Sequence, residues 1–248
     1  MLREKLQKRT DETYGHDDRQ LFVTSGTSGG LFLALMACAN PGDEIIIFDP
    51  YFVMYEALAR VVGAKVVHVD TYPDFQIDPE RVAAAITDRT KMILVNSPAN
   101  PTGTVADEQN LRALAELADR HDIVLLSDEI YRDFCYDGSF VSPARFNPRT
   151  LVIDGFSKNF GVPGWRLGFA HGPGAIIHEM IKLQQYSFVC APHPLQWAAA
   201  AALDLDCSTQ IAAYRRKRDL IVEGLADLYE LTVPQGAFYA FSKTPWGT

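Results

Sequence analysis

Short apolar runs alternate with longer amphipathic ones along most of the chain. The runs at 21–24, 44–48, 65–69, 92–96, 123–127, 151–154 and 166–170 are mostly unbroken in Val, Ile and Leu, which suits strands covered on both faces of a parallel sheet. Between them, 28–39, 52–62, 79–86 and 107–121 carry the helical period. In the last of these, Leu111, Leu114, Leu117 and Ala118 fall on one stripe, and Thr104 followed by Asp107 reads as a capping signal at its start. This alternation predicts an α/β fold with a mostly parallel, doubly wound sheet. Beyond about residue 170 the pattern changes. Segments 175–189, 195–205 and 208–229 read as consecutive helices, followed by strands at 230–233 and 237–241. We expect a large domain over 1–190, then linker helices and the start of a smaller, incomplete α+β domain over 191–248.

Composition narrows the class. The chain has 248 residues, 48% hydrophobic and 22% charged, which excludes a disordered, collagen-like or coiled-coil protein. A net charge of −8 leaves no electrostatic footprint for nucleic acid. The longest apolar run, 31–39, is far below the ~20 residues that span a bilayer, so no membrane partner is expected. No apolar segment follows the charged start Met1-Leu2-Arg3-Glu4-Lys5, so no secretory signal is expected. Cys38, Cys135, Cys190 and Cys207 form no CxxC, which points to reduced thiols in a cytoplasmic protein and away from a zinc ribbon or a disulfide scaffold.

In open α/β sheets ligands gather beyond the carboxyl ends of the strands, so the loops after the apolar runs are where chemistry is sought. The loop Thr24-Ser25-Gly26-Thr27-Ser28-Gly29-Gly30 opens a helix. Its glycines and hydroxyls suit either a phosphate cradle or a tight turn with a good N-cap. It contains neither Gly-Lys-Ser/Thr nor GxGxxG. It does satisfy G-x-S-x-G from Gly26 to Gly30, the context of a serine-hydrolase nucleophile at Ser28. That reading needs an acid and a histidine, for which Asp128 or Asp154 and His171, His178 or His193 can be nominated. Ser97-Pro98-Ala99-Asn100-Pro101-Thr102-Gly103 reads as an irregular turn that can present the Asn100 amide. Asp128, ending an apolar strand, is either a helix N-cap or the partner of a buried cation, and the Tyr131 phenol can face the same cavity if the chain turns helically. Lys158 lies just past a buried strand among aromatics and glycines. An amine there either has a lowered pKa suited to Schiff-base chemistry or extends to water. Arg166 follows a Gly/Pro bend that can return it to the same pocket.

Together, Ser25-Gly26-Thr27, Asp49-Pro50-Tyr51-Phe52, Asn100-Pro101-Thr102-Gly103, Asp128-Glu129-Ile130-Tyr131 and the stretch from Ser157-Lys158 to Trp165-Arg166 resemble the class I/II aminotransferases. These are fold-type I enzymes that use pyridoxal 5′-phosphate (PLP), and the resemblance runs from Leu2 to Tyr239. It implies that Lys158 forms a Schiff base with the cofactor and then shuttles the substrate proton. Asp128 would pair with the pyridinium nitrogen, Asn100 and Tyr131 would bond the ring's O3′, and Phe52 would stack on the ring. Gly26, Thr27, Ser28 and Arg166 would hold the phosphate, which makes Ser28 a phosphate ligand rather than a nucleophile.

The activity implied is amino-group transfer between an amino acid and a 2-oxo acid, with Gly164-Trp165-Arg166 and the Phe52 region leaning to the aspartate-like branch. A carbon–sulfur lyase or an inactive PLP-binding fragment would share these motifs. The resemblance further implies a homodimer. It also implies a chain truncated at both ends, without the arginine that grips the substrate α-carboxylate. One departure is Gly155, where many relatives carry a serine three residues before the lysine; Ser157 stands next to Lys158 instead.

Overall fold

A seven-stranded sheet organises the chain in the computed structural model, which describes residues 1–244. The terminal Trp246, Gly247 and Thr248 lie outside the described residues. The strands are β1 (Arg19–Ser25), β2 (Glu44–Asp49), β3 (Lys65–Asp70), β4 (Thr90–Asn96), β5 (Val124–Asp128), β6 (Leu151–Gly155) and β7 (Leu167–Pro173). They lie in the order β1-β7-β6-β5-β4-β2-β3. Only β7 is antiparallel to its neighbours, so the other strands all end at one rim of the sheet and β7 begins there. Each of the seven apolar runs forms one of these strands.

The unbroken apolar runs serve two cores at once. Ile45 and Ile47 of β2, with Met92 and Leu94 of β4, pack against α2 (Gly26–Cys38), α3 (Met54–Val61) and α6 (Gly174–Ser187). Ile46, Ile93 and Val95 point the other way, onto α4 (Pro79–Ala85) and α5 (Glu108–Arg120). On that second face, Leu21, Val23, Leu167 and Phe169 pack with α1 (Leu2–Tyr14) and α7 (His193–Ala202). Each fully buried Ile or Leu contributes about 1.5–3 kcal/mol. The sheet is therefore doubly wound, as the pattern predicts. No described helix is long and apolar enough to cross a membrane.

Two expectations need correction, and one helix lies outside the pattern altogether. Helix α1 escapes the hydrophobic pattern because only Leu2, Leu6 and Thr10 of its mostly polar sequence are buried. The strands expected at 230–233 and 237–241 do not form; single bridges join Leu231 to Ser242 and Cys135 to Gly236. The backbone of this segment is engaged by loops instead: Gln235 and Gly236 N–H donate to Gly103 O, and Ala237 N–H to Phe134 O, at 2.8–2.9 Å. The cap of α5 is Asp107 rather than Thr104. Its carboxylate accepts the Gln109 and Asn110 N–H groups at 2.8 and 3.3 Å. Thr104 is buried three residues earlier, and its hydroxyl has no partner. The last helix, α8, spans Ser208–Leu225.

Candidate active site

Strands β4 and β5 end side by side, with Asn96 opposite Asp128. Asn96 Nδ2 donates to Asp128 O at 2.9 Å, and its Oδ1 accepts the Asn100 N–H at 2.8 Å, so the amide that closes β4 shapes the turn carrying Asn100. The Asp128 side chain is 3% exposed. Its Oδ2 accepts from the Tyr55 hydroxyl at 2.8 Å and its Oδ1 from Ile130 N–H at 3.3 Å. Burial pushes its pKa up to about 6, while the Tyr55 and Ile130 donors and the Lys158 charge pull it down. No helix starts at Asp128, so the N-cap reading fails; Lys158 acts on the carboxylate through its charge without forming an ion pair.

Lys158 is half-buried, with Nζ 5.5 Å from the Tyr131 ring centre and 5.4 Å from that of Phe238. Among the described residues Nζ makes no hydrogen bond or ion pair. Burial lowers its pKa, Asp128 opposes this, and Arg166 adds to it. The Tyr131 hydroxyl lies 2.6 Å from that of Tyr239. Burial and that bond raise the Tyr131 phenol, and Asn100 lowers it. The Phe52 ring stands edge-on to Tyr55 at 5.6 Å.

The opposite wall is the start of α2. Gly26 has φ 71°, and the Arg166 guanidinium lies where a side chain on Gly26 would extend. Arg166 itself is left-handed (φ 52°), and its Nη1 donates to Pro163 O at 3.0 Å. A Cβ on Gly168 of β7 would fall 2.6 Å from Gly26 C and 2.8 Å from Thr27 N, so β7 presses directly on the N-terminus of α2. Gly155 is similarly hemmed: a Cβ there would lie 3.0 Å from Leu167 O and 3.1 Å from Thr27 Cγ2. The N-cap residue Ser25 makes no side-chain cap bond, and no acidic residue occupies the first turn of α2.

Thr27, Ser28, Phe52, Asn100, Asp128, Tyr131, Lys158 and Arg166 thus line one cleft, with Gly26 beneath Arg166. Among the further lining residues, Tyr55, Asn96 and Tyr239 carry polar groups that the sequence reading does not place in the site. Asn96 carries the same signal as Asp128, a polar residue closing an apolar strand. Tyr55 signals itself as a phenol on the inward stripe of a helix at this rim, where a buried hydroxyl needs a partner. Tyr239 pairs with Tyr131 across 108 residues of sequence, which no local pattern reveals.

The hydrolase reading does not assemble. Among the described residues no hydrogen bond joins Ser28 to a histidine. His171 Nδ1 meets Arg19 Nη1 at 2.8 Å, His193 Nε2 accepts from Trp197 at 3.3 Å, and His178 is exposed on α6.

Comparison with known proteins gives a consistent result. A family model described as aminotransferase class I and II matches residues 2–245. The chain is 43% identical, over 95% of its length, to a putative aminotransferase of Bacillus subtilis, and it covers 63% of that relative. It is 42% identical to the aspartate/prephenate aminotransferase of Thermus thermophilus, over 98% of this chain and 66% of that protein. Among solved structures, the Thermus thermophilus aspartate aminotransferase with maleate superposes with a TM-score of 0.94 at 41% identity, covering 98% of this chain and 67% of that one. The chain therefore spans about two thirds of the length of the relatives it matches.

Proposed function

The chain belongs to the class I and II aminotransferases, and from that premise we propose that it binds PLP in the cleft and moves an amino group between an amino acid and a 2-oxo acid. This family is PLP-dependent. The observation that carries the reading is the convergence at one rim of an amine of lowered pKa, a buried carboxylate and a helix N-terminus without a side-chain cap.

The residues fit the cofactor. The first-turn N–H groups of α2, the Thr27 and Ser28 hydroxyls and the Arg166 guanidinium suit a phosphate, and glycine at 26 leaves that approach open. Phe52 would stack on the ring, Asn100 and Tyr131 would bond its oxygen, and Asp128 would face its nitrogen. When bound, PLP supplies an aldehyde that captures amines and a ring that accepts the electron pair released at the substrate α-carbon. Beside a cationic ring nitrogen the Asp128 carboxyl stays ionised and keeps the proton on that nitrogen. The Lys158 amine, with a larger unprotonated share than an exposed lysine has, takes the proton from the substrate α-carbon. Tyr239 and Asn100, both in contact with Tyr131, hold its phenol toward the cleft.

The names of the relatives and the Gly164-Trp165-Arg166 sequence support an aspartate-like substrate. We also read 1–190 as the cofactor-binding domain and 191–248 as linker helices and the start of a smaller domain. A homodimer is supported by Tyr186, Val189 and Trp197, which are 87%, 69% and 55% exposed around the connection between α6 and α7. Four unpaired cysteines support a reducing, cytoplasmic setting. The test is to mix the purified chain with PLP, reduce with borohydride and map the labelled peptide. Label on Lys158, lost in Lys158→Ala, is expected; equal covalent labelling of both proteins overturns the reading. Screening amino donors for conversion of the bound cofactor then identifies the substrate.

A further inference from the structure

Strands β5 and β6 pair as far as Asp128 and Ile153, and Glu129 N–H closes the ladder on Ile153 O at 2.9 Å. Beyond that point the two chains part. One carries Asp128 and Tyr131; the other runs through 154–157 to Lys158. Two side-chain links cross the gap behind the cleft. Arg132 Nη1 lies 3.7 Å from Asp154 Oδ2, and Asn159 Nδ2 donates to the Asp133 carboxylate. Residues 132 and 133 directly follow Tyr131, and residues 154 and 159 bracket Lys158.

The inner link belongs to a buried cluster of charged and polar groups. Glu129 is fully buried; it accepts from Ser142 Oγ at 2.5 Å through Oε1, while its Oε2 has no partner. Arg19 is 3% exposed, and its Nη2 donates to Pro148 O and Thr150 O at 2.9 and 3.1 Å. Burial, with the Arg19 and Arg132 charges, holds His171 well below its ordinary value and therefore neutral. Two guanidiniums, Arg19 and Arg132, then face the Glu129 and Asp154 carboxyls, whose pKa values burial pushes up and the Arg132 charge pulls back down. Asp154 is also anchored by Gly155 N–H at 2.6 Å. A cleft open to solvent beneath α1, walled in part by Tyr14, Arg132, Asp154 and Asn159, borders this group, so packing alone does not join the two segments on that side.

We propose that Arg132 and Asp154, seconded by Asp133 and Asn159, are positioning residues that hold Lys158 at its distance from Asp128 and Tyr131. The inference rests on the reading of Lys158 as the Schiff-base residue. None of the four lines the cleft; they act through the segments on which Lys158 and Tyr131 are mounted. Releasing the tie lets the Lys158 segment drift toward water, which favours the protonated nitrogen.

The PLP-loaded chain is titrated against pH by its visible absorbance, alongside borohydride trapping. If the unaltered chain does not trap label on Lys158, the functional reading and this inference both fall. With trapping established, Arg132→Gln and Asp154→Asn are expected to move the absorbance midpoint upward by about half a unit or more and to slow trapping about threefold or more. Arg132→Lys is expected to restore most of the shift. Asn159→Ala, which breaks the outer link without disturbing buried charge, is expected to move the midpoint the same way by less. Variants that keep the circular dichroism of the unaltered chain and also keep its midpoint overturn the proposal. If the buried-charge variants do not fold, Asn159→Ala and Asp133→Asn decide alone, an unchanged midpoint again overturning it.

Discussion

With its pKa pushed up to about 6 by burial, the Asp128 carboxyl binds its proton more tightly in the folded chain than in the unfolded one, where the value is 3.8. The stability this group contributes is therefore present below the unfolded value and is lost as pH rises through about 6, by up to about 3 kcal/mol. In the cofactor-free chain, Asp128→Asn is expected to raise unfolding free energy by about 1–3 kcal/mol near pH 8 and to leave it almost unchanged near pH 4, read from urea midpoints. The same variant is expected to lose PLP affinity, so this residue trades apo-chain stability for binding. Tyr55→Phe removes a donor to the carboxylate and acts oppositely. It is expected to lose about 1–2 kcal/mol above pH 6, where Asp128 is ionised, and little below pH 4. At this scale the sequence exposes residues whose position is set by a strand end: Asp128 closes one strand, and Asn100 and Lys158 stand just past others. It does not expose Tyr55 or Tyr239 as site residues, because each is defined by a bond to a residue far along the chain.

Helix starts can be tested element by element. Asp107→Ala is expected to cost about 1 kcal/mol by freeing two N–H groups of α5. Thr104→Val is expected to be neutral or slightly stabilising, because the buried hydroxyl has no partner to lose. Equal losses in the two would restore Thr104 as a capping residue. At the start of α2 the decisive contact is backbone on backbone. Gly168→Ala is expected to force β7 off the helix, cost about 1–3 kcal/mol in thermal unfolding and weaken PLP capture severely. All seven strands and most helices are legible in the hydrophobic pattern, and all of these except α8 bury residues on a face the period can report. Where burial is slight, as in α1, or where loops rather than strands supply the backbone partners, as at 235–237, the pattern carries no such information.

Over the whole molecule, the cleft draws on five strand ends and one strand start, so occupancy couples distant parts of the sheet. PLP at about a hundred times its dissociation constant is expected to stabilise the chain by about 2.7 kcal/mol and raise the thermal midpoint by roughly 5–10 °C. Lys158→Ala is expected to lose most of that rise, and an equal rise in both would show that stabilisation does not depend on the amine. The reversal of β7 has a practical corollary. Segment 156–166 leaves the sheet and re-enters it at the same rim, its two ends joined by Phe156 N–H to Leu167 O at 3.2 Å. It behaves as a clasped handle that mounts Lys158 near one end and Arg166 at the other. The turn at 121–123 on the opposite rim, where the Asp122 side chain is 82% exposed, bears none of this chemistry. An affinity tag or surface tether grafted there would leave the reactive mouth pointing outward into solution, which makes the protein naturally suited to oriented immobilisation.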